Sequence, residues 1–532
     1  MLKKPNYLYA PTNLEVPMNI NFGEYFLDTL LEHGDRTAFI DAITHETISY
    51  GEIAQNGMNL AVSLARMGVK SGDSVAICTE NRLDFWPTLL GAMLSGASVS
   101  PINPMYTRDE IKHTLGICKP KIIFCSPAAH KAHETSIKSF NLIRIAVYQE
   151  KIPNTYFFKD LISNKVRRED FLPVEVVGQT ATLMILYSSG TTGLPKGVQI
   201  THYNGVVCCS IQKAPEGLDP MTVLSVAPWF HTMGLWGTVG NLCNGFTVVY
   251  MGRFDERRYL ETIQRYKPGY CAVVPPILVL LAKSQLLQEY DVSSVRMMYT
   301  GAASVDLETV REVKRRFPNL MEVFQGYGMT ESTLAVARDT VDGGVKPGSV
   351  GTMPAGFVVK VVDLETHEAL GPNKPGEICV KSPTVMKGYI GKNRTEAFDN
   401  EGFYRTGDIG YYDEDGFFFI VDRLKELIKY KGYQVPPAQI EAELLKHPAV
   451  RDAAVVGRPD KAAGEVPVAF VVRQPGSEVS AEEIQEYVAS KVSNPKRLRG
   501  GVRFVDEIPK NPSGKILRRI LRDRLKAEKS KL

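Results

Sequence analysis

The chain lacks several features that would have placed it quickly. Its 532 residues include eight cysteines, too few for a disulfide scaffold. No two of Cys78, Cys118, Cys125, Cys208, Cys209, Cys243, Cys271 and Cys379 stand in C-x-x-C spacing. That argues against a zinc site or a thioredoxin-like pair. It favours a reducing compartment, with most thiols acting as small buried hydrophobes. Long apolar runs are also missing. The longest, about Tyr270 to Ala282, is interrupted by Pro275 and Pro276 and stops before Lys283, whereas a membrane span needs about 20 apolar residues. The opening MLKKPNYLYAPTN has no apolar stretch of a secretory leader. Charge of one sign is scarce too. With 63 basic against 59 acidic side chains, a net of +4, nothing implies the concentrated basic face that nucleic acid requires. We find no internal repeat, heptad array or low-complexity tract.

What is present is ordinary globular material: 44% hydrophobic and 23% charged residues, with room for roughly three or four units. From about 20 to 170, helical and strand patterns alternate. Phe22–Glu32 has helical spacing, Ser74–Cys78 and Ile122–Cys125 are short strands, and Asp84–Leu94 is a helix. Such alternation predicts βαβ units and a largely parallel sheet. A second stretch, about 180 to 340, repeats the rhythm, with strands at Ala181–Tyr187, Val223–Val226, Thr247–Tyr250, Ala272–Val274 and Met297–Thr300. Thr262–Arg265 and Leu307–Arg316 lie on intervening helices. Closely spaced strands from 345 to 421 read as a more antiparallel, barrel-like unit. After Asp422–Arg423 the pattern becomes α+β and basic.

The strongest local motif runs from Tyr187 through Ser188, Ser189, Gly190, Thr191, Thr192, Gly193, Leu194 and Pro195 to Lys196 and Gly197. An apolar strand precedes it. Glycines let backbone N–H groups converge on an anion, hydroxyls add donors, and the lysine supplies a point charge. This is a phosphate-holding loop. It is not a Walker A motif, because Pro195 precedes the lysine and Gly197 follows it.

The segment resembles the signature loop of the adenylate-forming superfamily: acyl-CoA synthetases, coumarate–CoA ligases and beetle luciferases. Further matches follow in the family's order. They are Thr300-Gly301-Ala302-Ala303, Gln325-Gly326-Tyr327-Gly328-Met329-Thr330-Glu331, Tyr404-Arg405-Thr406-Gly407-Asp408, Val421-Asp422-Arg423-Leu424-Lys425-Glu426, Lys429 to Val435, and Asn511-Pro512-Ser513-Gly514-Lys515. Insect luciferase-like fatty acyl-CoA synthetases look closest. The resemblance implies an α/β fold: a large N-terminal domain (1–422) of two helix-flanked sheets plus a barrel-like β subdomain, a hinge (423–425), and a small mobile α+β C-terminal domain (426–532).

It also implies a two-step ligase that uses ATP, Mg²⁺ and coenzyme A. Lys515 would meet the substrate carboxylate and α-phosphate. Thr330 would donate to the α-phosphate, and Glu331 would hold the metal, as a hard cation shared with phosphates requires. ATP or AMP would be bound by Ser188–Gly193, Lys196, Gly301, Ala302, Ala303, Gln325, Gly326, Tyr327 (stacking on adenine), Gly328, Thr330, Asp408 (on the ribose) and Arg423. His231, Thr232, Met233, Met329, Leu334 and Ala335 would line an apolar acyl pocket, further walled by Leu235 and Trp236. His231 is expected to act as a gate. Lys429, Lys431 and Gly432 would serve coenzyme A and the second half-reaction, with Lys425 as pivot. Lys496, Arg497, Arg499, Arg503, Lys510, Arg518 and Arg519 read mainly as a solvated basic face.

The expected substrate is a medium- to long-chain fatty acid. A luciferase is the alternative, but beetle luciferases carry a paired His-His before Gly-Phe-Gly where this chain has Phe230-His231-Thr232-Met233-Gly234. They also carry an arginine about a dozen residues past the loop lysine, and Asn204 to Ser210 holds none. A coumarate-type ligase is the other alternative. A catalytically dead binder would have lost Lys515, Thr330, Glu331, Asp408 or Lys196, and all are present. The chain ends in Ser530-Lys531-Leu532, the address read by the peroxisomal import receptor, so a peroxisomal monomer is expected.

Overall fold

The computed structural model describes residues 3–12, 14–140, 143–188, 194–214, 221–303, 305, 307–431, 433–510 and 514–529. Ser189–Gly193 of the phosphate loop, Gly432, Asn511–Ser513 and the terminal Ser530–Leu532 lie outside them.

Two eight-stranded sheets form the bulk of the chain. The first runs Gly388–Tyr389, Lys196–Thr201, Thr182–Ser188, Ser98–Ile102, Ser74–Cys78, Ile122–Cys125, Arg144–Val147, Tyr156–Phe157 from edge to edge. The second runs Ala335–Arg338, Glu322–Gly328, Met297–Gly301, Tyr270–Val273, Thr222–Ser225, Thr247–Tyr250, Thr37–Asp41, Thr47–Ser49. Interior pairings are parallel, as fully buried apolar strands favour. The additions at the edges, Lys196–Thr201 and Gly388–Tyr389 in the first sheet and Ala335–Arg338 and Thr47–Ser49 in the second, are antiparallel.

The two sequence stretches exchange strands. Thr37–Asp41 pairs with Thr247–Tyr250, and Thr182–Ser188 pairs with Ser98–Ile102. Packing explains the first exchange. Phe39 belongs between Trp86 and Trp229, with ring centroids 4.9 and 5.3 Å away. That places it in the core shared by both sheets, filled by the helices Phe22–His33, Tyr50–Arg66 and Phe85–Leu94. Pro275 begins the helix Pro275–Lys283 after the strand Tyr270–Val273, so the longest apolar run is two elements joined where the prolines stand. Among the described residues no helix is long and apolar enough to cross a membrane. Seven cysteines are buried, Cys243 is half-buried, and all eight are free thiols.

The expected barrel-like unit is an antiparallel sheet of Tyr7–Tyr9, Val358–Val362, Gly376–Lys381, Tyr404–Tyr412 and Phe418–Arg423. Its end strands do not pair with each other, so it stays open. A fourth sheet, built on the long hairpin of Val450–Asp460 and Gly464–Arg473, forms the C-terminal unit with the helices Pro437–Leu445, Ala481–Lys491 and Arg518–Lys529. Arg518 departs from the expected solvated face. It is buried and ion-paired to Glu441 at 2.6 Å and Glu426 at 2.9 Å, tying the last helix to the segment after the hinge.

Candidate active site

Parallel strands end together, and ligands gather in the crevice beyond their carboxyl ends. Here the ends of Met297–Gly301 and Glu322–Gly328 lie side by side, with Gly301 in register with Gly326. A cavity of about 810 Å³ opens against them, within the usual range for small-molecule sites. It is lined by Ser188, Lys196, Gly301, Ala302, Gly326, Tyr327, Gly328, Thr330, Glu331, Asp408 and Arg423, and by Lys425 and Lys515 from the hinge and C-terminal unit. The expected nucleotide residues Ala303 and Gln325 do not line it. Gln325 is buried, its N–H held by the Asp339 carboxylate at 2.8 Å.

Local backbone chemistry shapes the walls. After Gly328 the chain doubles back so tightly that Met329 N–H reaches the Leu334 carbonyl at 3.1 Å. A Cβ at Gly328 would stand 1.9 Å from that oxygen, so only glycine fits. The same holds at Gly234, where a Cβ would lie 2.1 Å from the Pro228 carbonyl.

Asp408 is buried, and both of its oxygens are engaged. Tyr327 donates its hydroxyl at 2.7 Å, and Arg423 Nε pairs at 3.1 Å from the adjacent strand. Burial raises the carboxyl pKa, and Arg423 opposes that shift. Each oxygen keeps a further lone pair for a ligand hydroxyl.

Glu331 is buried and accepts the Tyr389 hydroxyl at 2.7 Å through Oε1. Tyr404 lies 3.2 Å further along the same chain of hydroxyls. Oε2 of Glu331 has no protein partner among the described residues. One fixed carboxylate with a spare oxygen suits a Mg²⁺ ion shared with phosphate oxygens. Lys196 Nζ sits over the Tyr389 ring, 4.9 Å from its centre, which brings the loop lysine beside the acidic group. Sequence reading passed over Tyr389. It enters from a two-residue strand far along the chain, and a lone Gly-Tyr carries no periodicity.

Lys515 reaches the cavity from the loop at Gly514. That loop rests on the N-terminal domain, since a Cβ at Gly514 would touch Pro276 at 3.1 Å. Burial first, then the nearby Arg423 charge, push the Lys515 amine down to about 8. Lys429, on the strand Ile428–Tyr430 of the fourth sheet, and Lys431, in the turn after it, are exposed and away from the cavity. The structure therefore brings Lys515 to the site and leaves the Lys429–Lys431 segment outside.

His231 caps the helix Thr232–Cys243 and lines the cavity. Its Nε2 is buried without a partner among the described residues, and burial lowers its pKa to about 4, so the ring is neutral. Thr232, Met233, Met329, Leu334 and Ala335 share this wall. Leu235 and Trp236 do not. They turn into the core, with Trp236 against Phe22 at 5.4 Å. At 3.6 residues per turn the helix shows the cavity Met233, Gly237 and Asn241 instead.

Comparison with known proteins follows the same division. The AMP-binding enzyme family matches residues 26–390, and the AMP-binding enzyme C-terminal domain matches residues 439–515. A luciferin 4-monooxygenase of Nipponoluciola cruciata is 43% identical over 508 residues, covering 93% of this chain and 92% of that protein. A 4-coumarate-CoA ligase 1 of Narcissus pseudonarcissus is 38% identical over 540 residues, covering 97% and 96%. Among solved structures, ATP-bound MatB from Rhodopseudomonas palustris superposes with a TM-score of 0.86 at 28% identity, over 96% of this chain and 99% of that one.

Proposed function

Because the chain belongs to the AMP-binding enzyme family, we propose that it is an ATP-dependent carboxylic acid–CoA ligase favouring medium- to long-chain fatty acids. The observation that carries this is the convergence of Lys515, Thr330, Glu331 and Asp408 on one cavity that continues into the wall of His231, Met233, Met329 and Leu334. In the first half-reaction a carboxylate oxygen bonds to the α-phosphorus of ATP while the bond to the pyrophosphate oxygen breaks. Lys515 and Thr330 hold the charge that grows on the α-phosphate, the type of preorganised stabilisation worth most in such sites. Lys196 steadies the leaving phosphates. Asp408 and Tyr327 hold the nucleoside, and Mg²⁺ at Glu331 would offset phosphate charge. Neutral His231 closes the acyl side without donating charge. In the second half-reaction the thiol of coenzyme A attacks the adenylate carbonyl, its proton is lost, and AMP leaves. Lys429 and Lys431 are our candidates for that step.

The 43% relative favours luciferin oxidation as a second reading. Met233 and the absence of an arginine from Asn204–Ser210 weigh against it. A panel of acetate, octanoate, palmitate, coumarate and luciferin, read as CoA-dependent pyrophosphate release and as light, separates the readings. We expect octanoate and palmitate to exceed acetate, since each buried CH₂ contributes about 0.8 kcal/mol. A profile peaking at acetate or coumarate, or strong light with luciferin, would reject the fatty-acid assignment.

We further propose that the enzyme acts as a monomer and reaches peroxisomes through Ser530-Lys531-Leu532. Deleting those residues should leave activity intact and the protein cytosolic in peroxisome-bearing cells. Continued import of the truncated chain would point to another address.

A further inference from the structure

The far end of the acyl wall is more polar than an alkyl chain needs. The cavity is also lined by Gly237, Thr238 and Asn241, further along the helix that carries Met233, and by Tyr270, Tyr299 and Arg338. Arg338 stands opposite Gly326 in the edge strand Ala335–Arg338, so its side chain shares the cavity face with the acyl wall. One guanidinium nitrogen donates to the Ile211 carbonyl. Its Nε is buried with no partner among the described residues.

Among the described residues no carboxylate pairs with Arg338. Asp339 turns its Oδ2 to the backbone of Gln325, while its Oδ1 is buried without a partner among the described residues and its charge acts on Tyr299. Asp342, on the rim, is exposed and forms no ion pair with it. Tyr270 and Tyr299 pack edge to face at 5.1 Å, and Tyr299 is fixed by stacking on Phe324 at 4.8 Å. Neither hydroxyl has a protein partner among the described residues. Arg338, Tyr270 and Tyr299 are half-buried, and the enclosed Nε of Arg338 is the atom costly to leave unmet. An arginine fork is the side chain best shaped to hold a carboxylate through two parallel hydrogen bonds.

We infer that the acid activated here carries a second carboxylate at the end remote from the reacting one, received by Arg338 with help from Tyr270 and Tyr299. This rests on the ligase reading and narrows its substrate class from simple fatty acids to α,ω-dicarboxylic ones. The apolar wall of Met233, Met329 and Leu334 takes the methylene chain between the two ends. No bond changes at the remote carboxylate; it is a handle.

The test compares kcat/KM for CoA-dependent pyrophosphate release with octanoate, decanoate and dodecanoate against the α,ω-dicarboxylates of the same lengths, with the ω-hydroxy acids as a neutral arm. At the best length the dicarboxylate should exceed its monocarboxylate by about 10-fold or more, the usual scale of a charged hydrogen bond, and the hydroxy acid should fall between. Arg338→Met should abolish that preference, with the loss mainly in KM. Arg338→Lys should restore part of it. A purely structural Arg338, pinning Ile211 alone, would leave the ratio unmoved in every variant, and that result overturns the proposal. So does a monocarboxylate preferred at every length by the unmodified enzyme, a measurement that stands even if Arg338→Met does not fold. Release with monocarboxylates alone would keep the ligase reading and reject this one, whereas release with no acid of either kind rejects both.

Discussion

Lys515→Ala is expected to slow adenylate formation by about 10²–10³, the loss that follows removal of one positioned charge from a dry transition state. Thioester formation from supplied acyl-adenylate should fall far less, because the hinge movement argued below would carry Lys515 out of the cavity before the thiol attacks. Equal losses in the two steps would remove Lys515 from the α-phosphate. The amine also sets a pH signature. Its value of about 8, down from the usual 10.5, means that the charge is complete below about 8 and is lost as pH rises through it. kcat/KM for adenylation reports the free enzyme, so it should fall on the alkaline side of 8. Lys515→Arg, which cannot deprotonate in this range, should flatten that limb whatever its absolute rate.

The second large effect is expected from Lys425→Pro. Lys515 is at the cavity while Lys429 is exposed on a sheet outside it. If Lys429 serves the second half-reaction as proposed, one placement of the C-terminal unit cannot serve both, and a hinge movement would have to intervene. Leu424 N–H is tied to the Gly407 carbonyl at 2.8 Å and Glu426 N–H to Arg423 at 2.9 Å. Lys425 lies between these two anchors. Proline would fix φ near −65° and restrict Leu424 as well. Single-turnover pyrophosphate release should largely survive, and acyl-CoA formation should drop steeply. Lys425→Ala should be much milder, since rotation needs the backbone and not the amine. If alanine and proline impaired both steps alike, Lys425 would be a structural residue.

Much of this was readable from sequence, and the reason differs from element to element. Ser74–Cys78 and Thr247–Tyr250 appear at their predicted bounds because short, fully buried β runs are marked by composition alone. Lys196–Thr201 was missed as a strand because the glycine-rich loop before it hid the antiparallel return. Glu331, Asp408 and Lys515 were found through motif context, which encodes chemistry position by position. Arg338 and Tyr389 have no such context. An arginine ending a strand and a tyrosine after a glycine look like surface residues until the fold places them. Leu235 and Trp236 were misplaced for a simpler reason. Apolar character suggests pocket wall, but on Thr232–Cys243 Leu235, Trp236, Val239 and Leu242 face the core, and apart from Met233 small and polar residues are left for the cavity.

The exchange of strands between the two large sheets bears on how the chain acquires its shape during synthesis. Thr37–Asp41 has its parallel neighbour only in Thr247–Tyr250, and the outer edge of the first sheet is completed by Gly388–Tyr389. The earliest-made strand of the second sheet must therefore wait for some two hundred further residues to emerge. Such distant pairing is slow, because loop closure precedes the contacts that reward it. Helices Phe22–His33, Tyr50–Arg66 and Phe85–Leu94 bury one another meanwhile, giving the nascent chain a partial core. Phe39 can then stack on Trp86, but Trp229 and Tyr250 are still to come, so its segment stays half-covered until the ribosome has passed Tyr250.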